Sequence, residues 1–408
     1  MRTNNANTSD SIPLYLEKMG RLGDTIAHLD GDVVNVFGGI VGEKVQARVF
    51  RYRRRKKKYV SALVMNVLKP SPHRISAPCP YFGPCSGCQW QHIEYGHQLK
   101  LKRNAVVREM QKYPELIGVP VRRTVPGPEQ FSYRNHARFT VRQQGSLGFN
   151  NRITRRFVKL GKCLLMDPQI NEIMADLQDK CDETTNLSVR VGINTAEYLI
   201  QPTLQLAETT LMSGQAYYEE RLLDRAFRVS SPSFFQVNTA QTEIMARRVL
   251  KALKLCRNQT VVDAYAGVGT FTVLMAESAG KVVAIEESEA AVKDAAINTL
   301  GIENIEFRLG KTEEVIYSLD AAPDAVVLDP SRTGCHTAVL EALIRLTPSR
   351  IVYVSCDPES LARDLAVLVK GAYRVNNVEP IDMFPQTHHV ECIATLSSTK
   401  RNLGNRAF

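Results

Sequence analysis

No apolar run of roughly 18 residues occurs in this 408-residue chain, so no helix able to cross a bilayer is expected. The opening stretch, Met1 to Ser11, is polar and asparagine-rich and has no apolar core. No secretory signal is therefore expected, and the cytoplasm is the default compartment. The nine cysteines are clustered, which in a reducing compartment argues against a disulfide framework and for metal binding or catalysis. Acids are missing altogether from residues 131–162, which carry 8 lysines and arginines. Residues 1–75 carry 14 against 6 acids, so two segments hold more than the whole net charge of +10. Dense basic blocks of this kind suit a phosphate backbone; the plainer reading is a solvated basic surface. Hydrophobic content of 44% and charged content of 23% are ordinary for a globular chain, and the length allows two or three domains.

Residues 12–70 read as a small β domain. Short apolar alternations, Ile12 to Leu16 and Val33 to Phe37, are punctuated by glycines, a pattern that suggests a barrel. Eight of the eleven residues from Arg48 to Lys58 are basic, with Phe50, Tyr52 and Tyr59 interleaved. Cations grip a backbone and aromatics stack on bases, so RNA is the fitting partner. A Pro/Ser-rich linker, Pro70 to Pro78, leads to Cys79, Cys85 and Cys88 in a Gly/Pro loop. Three thiols so close can face one centre, with Cys163 as the nearest isolated fourth. Four thiolates suit zinc or an iron–sulfur cluster, and spacing does not decide between them. Residues 94–115 read as a helix. Tyr133 to Arg142 reads as a strand, Gly145 to Gly148 as a hairpin turn and Arg152 to Phe157 as the returning strand.

From about residue 221 strands alternate with helices, the pattern of a doubly wound, mostly parallel sheet. The strand from Thr260 ends in a glycine turn, Ala266-Gly-Val-Gly269. Glu286, about twenty residues on, can accept the two hydroxyls of a ribose. A G-x-G turn rather than G-x-G-x-x-G favours S-adenosylmethionine over a dinucleotide. Asp329-Pro330 follows a later strand and places a carboxylate at the same edge. Ile351 to Val354 is a buried strand that breaks at Ser355-Cys356-Asp357-Pro358 into a helix. Cys356 is thus a thiol at the ligand-binding edge, near a helix start that favours thiolate. Taken alone, a free cysteine here is more often a small buried filler. The ordered set of glycine turn, ribose acid, Asp-Pro and Ser-Cys argues for the nucleophile.

Phe234-Phe-Gln-Val-Asn238, Asp263 to Phe271, Asp329 to Gly334, Ser355 to Leu365 and Met383 to Glu391 together resemble the RNA uracil-5-methyltransferases. The segment around Met19 to Asp24, with Val45 to Val49, resembles a TRAM domain. The resemblance implies an α/β chain in three parts. These are an OB-like RNA-binding β-barrel over 1–70, a central α+β iron–sulfur domain over 71–220, and a Rossmann-like methyltransferase domain over 221–408. It implies a [4Fe–4S] cluster on Cys79, Cys85, Cys88 and Cys163, with zinc as the alternative. Gln236, Tyr265, Glu286 and Asp329 would be cofactor-site residues, Cys356 the nucleophile and Glu391 the base. A monomeric enzyme acting on RNA is implied, with 23S rRNA favoured by the cysteine set and tRNA open. Ala266, Lys311, Ser331 and Asp357 depart from the usual Cys, Asp, Pro and Asn of the family.

The chemistry fits the residues. C5 of uracil is a poor nucleophile until a thiolate adds at C6, and Cys356 can supply that thiolate. A base must then take the C5 proton. Glu391 lies in an apolar stretch that would raise its pKa, with His388 and His389 as alternatives. A methyltransferase acting on a base nitrogen needs no thiol, and a cytosine-5 enzyme usually carries Pro-Cys rather than Ser-Cys. A non-catalytic Fe–S RNA-binding protein is the rival from another class.

Overall fold

The computed structural model describes residues 11–54, 57–319 and 321–400. Most of the polar opening stretch, and Arg55 and Lys56 of the basic run, lie outside the described residues. The chain forms two compact units. The first comprises the residues up to Gln98, together with Phe149–Val158 and Gln386–His388. The second comprises Leu99–Gly148, Lys159–Pro385 and the residues from His389 on.

In the first unit Ile12–Tyr15 (β1), Lys18–Met19 (β2), Thr25–Leu29 (β3), Asp32–Phe37 (β4), Lys44–Arg54 (β5) and Lys57–Lys69 (β6) form one sheet in the order β1-β5-β6-β4-β3-β2. Alternate residues, among them Val34, Val36, Val45, Ala47, Val60 and Ala62, fill its apolar core. Glu43 is buried at the turn into β5. Its carboxylate accepts the Ile40 and Ser71 amides at 2.8 and 3.0 Å and the Arg74 guanidinium at 2.6 and 2.7 Å. The described part of the basic run lies on β5 and β6, where the exposed rings of Tyr52 and Tyr59 stack 5.6 Å apart.

The helix expected over 94–115 is Tyr95–Met110 (α1). The hairpin that follows turns earlier than the sequence pattern predicts. His136–Arg142 (β7) returns directly as Ser146–Asn150 (β8), and the turn is Gln143–Gly145. Gln144 and Gly145 take φ of 63° and 70°, so the left-handed turn forms ahead of Gly148. Of the expected return, Arg152 to Phe157, only Phe157 is in a strand; residues 151–156 form a loop capped by Asn151, whose Oδ1 accepts the Ile153 and Thr154 amides. Phe157–Lys159 (β9), Pro168–Leu177 (α2), Asn186–Val191 (β10) and Tyr198–Gln201 (β11) follow, giving a sheet ordered β11-β10-β7-β8-β9. Tyr217–Leu222 (β12) and Arg225–Ser230 (β13) form a separate ribbon.

Thr239–Leu253 (α3) opens the doubly wound part, with Asn238 Oδ1 accepting the Gln241 amide at its N-cap. Then come Thr260–Asp263 (β14), Thr270–Ala276 (α4), Lys281–Glu286 (β15), Glu289–Asn298 (α5), Ile305–Leu309 (β16), Thr312–Val315 (α6), Ala325–Leu328 (β17), Thr337–Leu346 (α7), Arg350–Ser355 (β18), Pro358–Lys370 (α8), Tyr373–Ile381 (β19) and Glu391–Ser398 (β20). The sheet order is β16-β15-β14-β17-β18-β20-β19, parallel from β16 to β18, with β20 antiparallel to β18. Central strands covered on both faces must be apolar at successive positions. On β18, Ile351 and Tyr353 enter the core under α7 and α8, while Val352 and Val354 enter the opposite core with α3 and α4. Truncating one of these fully buried side chains, such as Leu361→Ala on α8, costs about 2–5 kcal/mol. Among the described residues no helix is long and apolar enough to cross a membrane.

Candidate active site

Parallel strands deliver their last residues to one edge of the sheet, and the candidate residues stand there. Asp263 ends β14 and Glu286 ends β15. Asp329 is the first residue beyond β17, and Cys356 the first beyond β18. Glu391 is the first residue of β20. Because β20 runs antiparallel to β18, its start lies at the edge where β18 ends. Ser355 pairs with Cys392, so one step further Cys356 stands opposite Glu391. Side chains at directly opposite positions share a face of the sheet, with Cβ atoms about 5 Å apart.

The glycine turn between β14 and α4 is open. Gly267 has φ of 56°, and a Cβ built there would meet nothing within 4 Å. A ligand can therefore approach the backbone closely. Glu286 caps the turn, its Oε2 accepting the Gly267 amide at 2.8 Å and its Oε1 the Ser288 amide at 2.8 Å. Asp263 is buried. Its Oδ2 accepts the Thr272 hydroxyl at 2.7 Å, while its Oδ1 has no partner. The open glycine cradle fits a ligand that must come close to the backbone, as a nucleoside-bearing cofactor does. Tyr265 is half-buried and hydrogen-bonds Cys335. Gln236 comes from a separate segment between β13 and α3, where the Asn135 side-chain amide holds its carbonyl at 3.1 Å. Lys311 is exposed and stands as the N-cap residue of α6.

The electrostatics follow from burial. Loss of water, and then the neighbouring Asp263, push Asp329 up to about 7. Burial, then Asp329, raise Glu391 well above the usual carboxylate range, against the pull of Arg332. Burial, then Glu391, push the Cys356 thiol up to about 11, with Arg332 opposing. The thiolate bias expected from the helix start is thus outweighed. Asp357, the N-cap of α8, turns its own carboxylate onto the Ser360 amide at 3.1 Å and meets the positive end of that helix itself. Arg332 is the cation that acts on both Cys356 and Glu391. It was legible in the Asp329-Pro-Ser-Arg332 motif but was not among the expected site residues. His388 Nδ1 bonds Gln89 Oε1 at 3.1 Å, and His389 packs edge-on to Phe384.

Cys79, Cys85 and Cys88 lie half-buried in the first unit. Gln91 ties the loop together, its Oε1 accepting the Cys79 amide at 3.2 Å and its Nε2 donating to Cys88 Sγ at 3.1 Å. Cys163 belongs to the second unit, where Asn171 Oδ1 accepts its amide at 2.7 Å. Among the described residues no three His, Cys, Asp or Glu side chains are grouped to hold a metal ion.

Residues 207–399 match the family model for tRNA (uracil-5-)-methyltransferase. An RNA methyltransferase of Gloeobacter violaceus is 35% identical, covering 92% of this chain and 93% of its own. One of Halalkalibacterium halodurans is 30% identical, covering 96% and 97%. The solved structure of Pyrococcus abyssi tRNA (uracil-54, C5)-methyltransferase in complex with S-adenosyl-L-homocysteine superposes with a TM-score of 0.73 at 25% identity, over 94% of this chain and 100% of that one. By the family-model match over residues 207–399 and by relatives 30–35% identical over nearly its whole length, the chain belongs to the RNA uracil-5-methyltransferase family.

Proposed function

We propose that this chain methylates C5 of a uridine in RNA through a covalent adduct on Cys356. The observation that carries the reading is the placement of Cys356 opposite Glu391 at the sheet edge, with Arg332 acting on both. The uridine leaves its stack to reach them. Cys356, as thiolate, adds to C6, and the electron pair moves onto the ring. C5 then takes the methyl group of S-adenosylmethionine, which leaves as S-adenosylhomocysteine. Glu391 removes the C5 proton, the C5–C6 double bond re-forms and the S–C6 bond breaks. The burial that raises Glu391 makes its carboxylate a stronger base once ionised. Gln236, Tyr265, Glu286 and Asp329 hold the cofactor.

The basic hairpin with stacked Tyr52 and Tyr59 serves as the RNA-binding part of a TRAM domain, within a division at residues 70 and 220. Cys79, Cys85 and Cys88 supply thiolates to a [4Fe–4S] cluster. The donor set is soft and free of carboxylates, and a side-chain amide already points at one sulfur. Large-subunit rRNA is the favoured substrate because of that cysteine loop. A tRNA uridine is the second reading, favoured by the family match and the Pyrococcus abyssi neighbour.

RNA containing 5-fluorouridine at the target should form a stable adduct with the wild type, since its C5 holds no removable proton. Cys356→Ala should form none, and an adduct with that variant would end the nucleophile assignment. Glu391→Gln should accumulate methylated adduct on ordinary RNA. Mapping 5-methyluridine in rRNA and tRNA from a deletion strain identifies the substrate. Iron and acid-labile sulfide analysis of anaerobically purified protein tests the cluster.

A further inference from the structure

We propose that Asp364, on α8, is a positioning residue that locks the Asp329–Cys335 loop against the strand carrying Cys356; the proposal rests on the covalent reading above. Asp364 is fully buried, yet it accepts from three different places. Its Oδ2 takes the Cys335 amide at 2.8 Å and the Tyr353 hydroxyl at 2.7 Å. Its Oδ1 takes the guanidinium of the adjacent Arg363 at 2.8 and 2.7 Å. Arg363 in turn donates to the Thr333 carbonyl at 2.8 Å. One carboxylate and its neighbour thus hold the backbone at residues 333 and 335, and also a tyrosine three positions before the nucleophile.

The loop is shaped to this grip. Gly334 has φ of 78°, and a Cβ there would lie 2.5 Å from both Arg363 Nη2 and Asp364 Oδ2. Only glycine lets the backbone close onto the pair. The Gly334 amide also donates to the Ser331 carbonyl at 2.9 Å, so the loop is a tight turn whose far end is clamped. Asp329, just before that turn, and Arg332, within it, both act electrostatically on Cys356 and Glu391. Tyr265, at the cofactor turn, reaches the same knot through Cys335. Charge-assisted hydrogen bonds to a buried carboxylate are short and directional, which suits them to hold register. The Arg363-Asp364 pair has no part in the methyl transfer itself; its effect comes through where Asp329 and Arg332 stand.

Asp364→Asn keeps the shape but places an amide N–H against donors, so the loop must shift. A displacement near 1 Å at reacting groups costs about 10²-fold. The rate of adduct formation on 5-fluorouridine RNA, measured in a single turnover with saturating RNA and S-adenosylmethionine, should fall by one to two orders of magnitude. Dissociation constants for both should stay within about twofold. Arg363→Ala is the milder variant, because its side chain is half exposed; it should slow the same step several-fold without affecting binding. Wild-type adduct rates in a folded Asp364→Asn would overturn the proposal. So would losses of binding equal to the loss of rate, which would mark a general support of the fold. If Asp364→Asn does not fold, Arg363→Ala decides: an unchanged rate overturns the clamp and a slowed one supports it. Failure of the wild type to form an adduct, or an adduct on Cys356→Ala, would instead be failure of the covalent reading.

Discussion

Lys102 on α1 is completely buried, and its ammonium donates to Asp382 Oδ1 and to the Phe384 carbonyl at 3.0 Å. Asp382 follows directly on β19 and is equally buried. Burial pulls the lysine pKa down, and the aspartate resists. Lys102→Met replaces the stem with apolar atoms of similar shape but strands a carboxylate among them. Breaking a fully desolvated pair costs about 3–5 kcal/mol, and exposure of 0% on both sides places this pair in that class. For a unit of this size each kcal/mol is worth about 2–4 °C, so the melting temperature should drop by on the order of 10 °C. Lys102→Met with Asp382→Leu removes both charges and should recover most of the loss, because a buried pair replaced by apolar groups is often neutral. Scanning calorimetry of the two variants beside the wild type measures both effects. A single variant melting within about 2 °C of wild type, roughly a third of the least shift (about 6 °C) that a loss of about 3 kcal/mol implies, would refute the reasoning. A double variant no better than the single would do the same.

The other predictions concern the site and the first unit. Glu286→Gln should weaken S-adenosylmethionine about tenfold or more, by loss of a charged acceptor, while the Gly267 and Ser288 amides keep a partner oxygen only in part; unchanged affinity by calorimetric titration would remove Glu286 from the ribose role. The Cys356 thiol lies at about 11, so the rate of adduct formation should climb with pH, up to about tenfold per unit, between neutrality and that value. A flat profile from pH 7 to 9 would mean the thiolate is already formed in the bound state, about a range where the free thiol is mostly protonated. Burial raises the Glu43 pKa, but Arg74 and the Ser71 and Ile40 amides outweigh it and hold the group below 4.5. Its contribution to stability is therefore full above 4.5 and is lost as pH falls through the lower folded value. Glu43→Gln should cost about 2 kcal/mol at neutral pH and nothing extra in acid, read from thermal melts at several pH values.

Local signals made much of the doubly wound part legible. The N-cap Asn238, the Pro358 that starts α8 and the continuous apolar runs of β14, β15, β17 and β18 act over a few residues, so periodicity and caps found them. The missed strands have weaker patterns. β19 carries a bulge between Val375 and Asn377 that interrupts its alternation, and β12 and β13 pair only with each other. The β7 hairpin turned early because Gln144, not a glycine, accepts a left-handed conformation.

By itself the sequence determined which residues line the edge of the parallel sheet. Each stands at the end of a strand whose residue types specify it locally, from Asp263 to Cys356. What it could not determine was which of them face one another. Glu391 meets Cys356 because β20 enters antiparallel beside β18 in one register, and register between strands distant in sequence belongs to the assembled sheet. The state of the thiol was decided there too. A helix start alone favours thiolate, but burial beside Glu391, with Asp357 already capping the helix, raises the pKa instead. Desolvation depends on everything packed around a group, and only the folded chain supplies that.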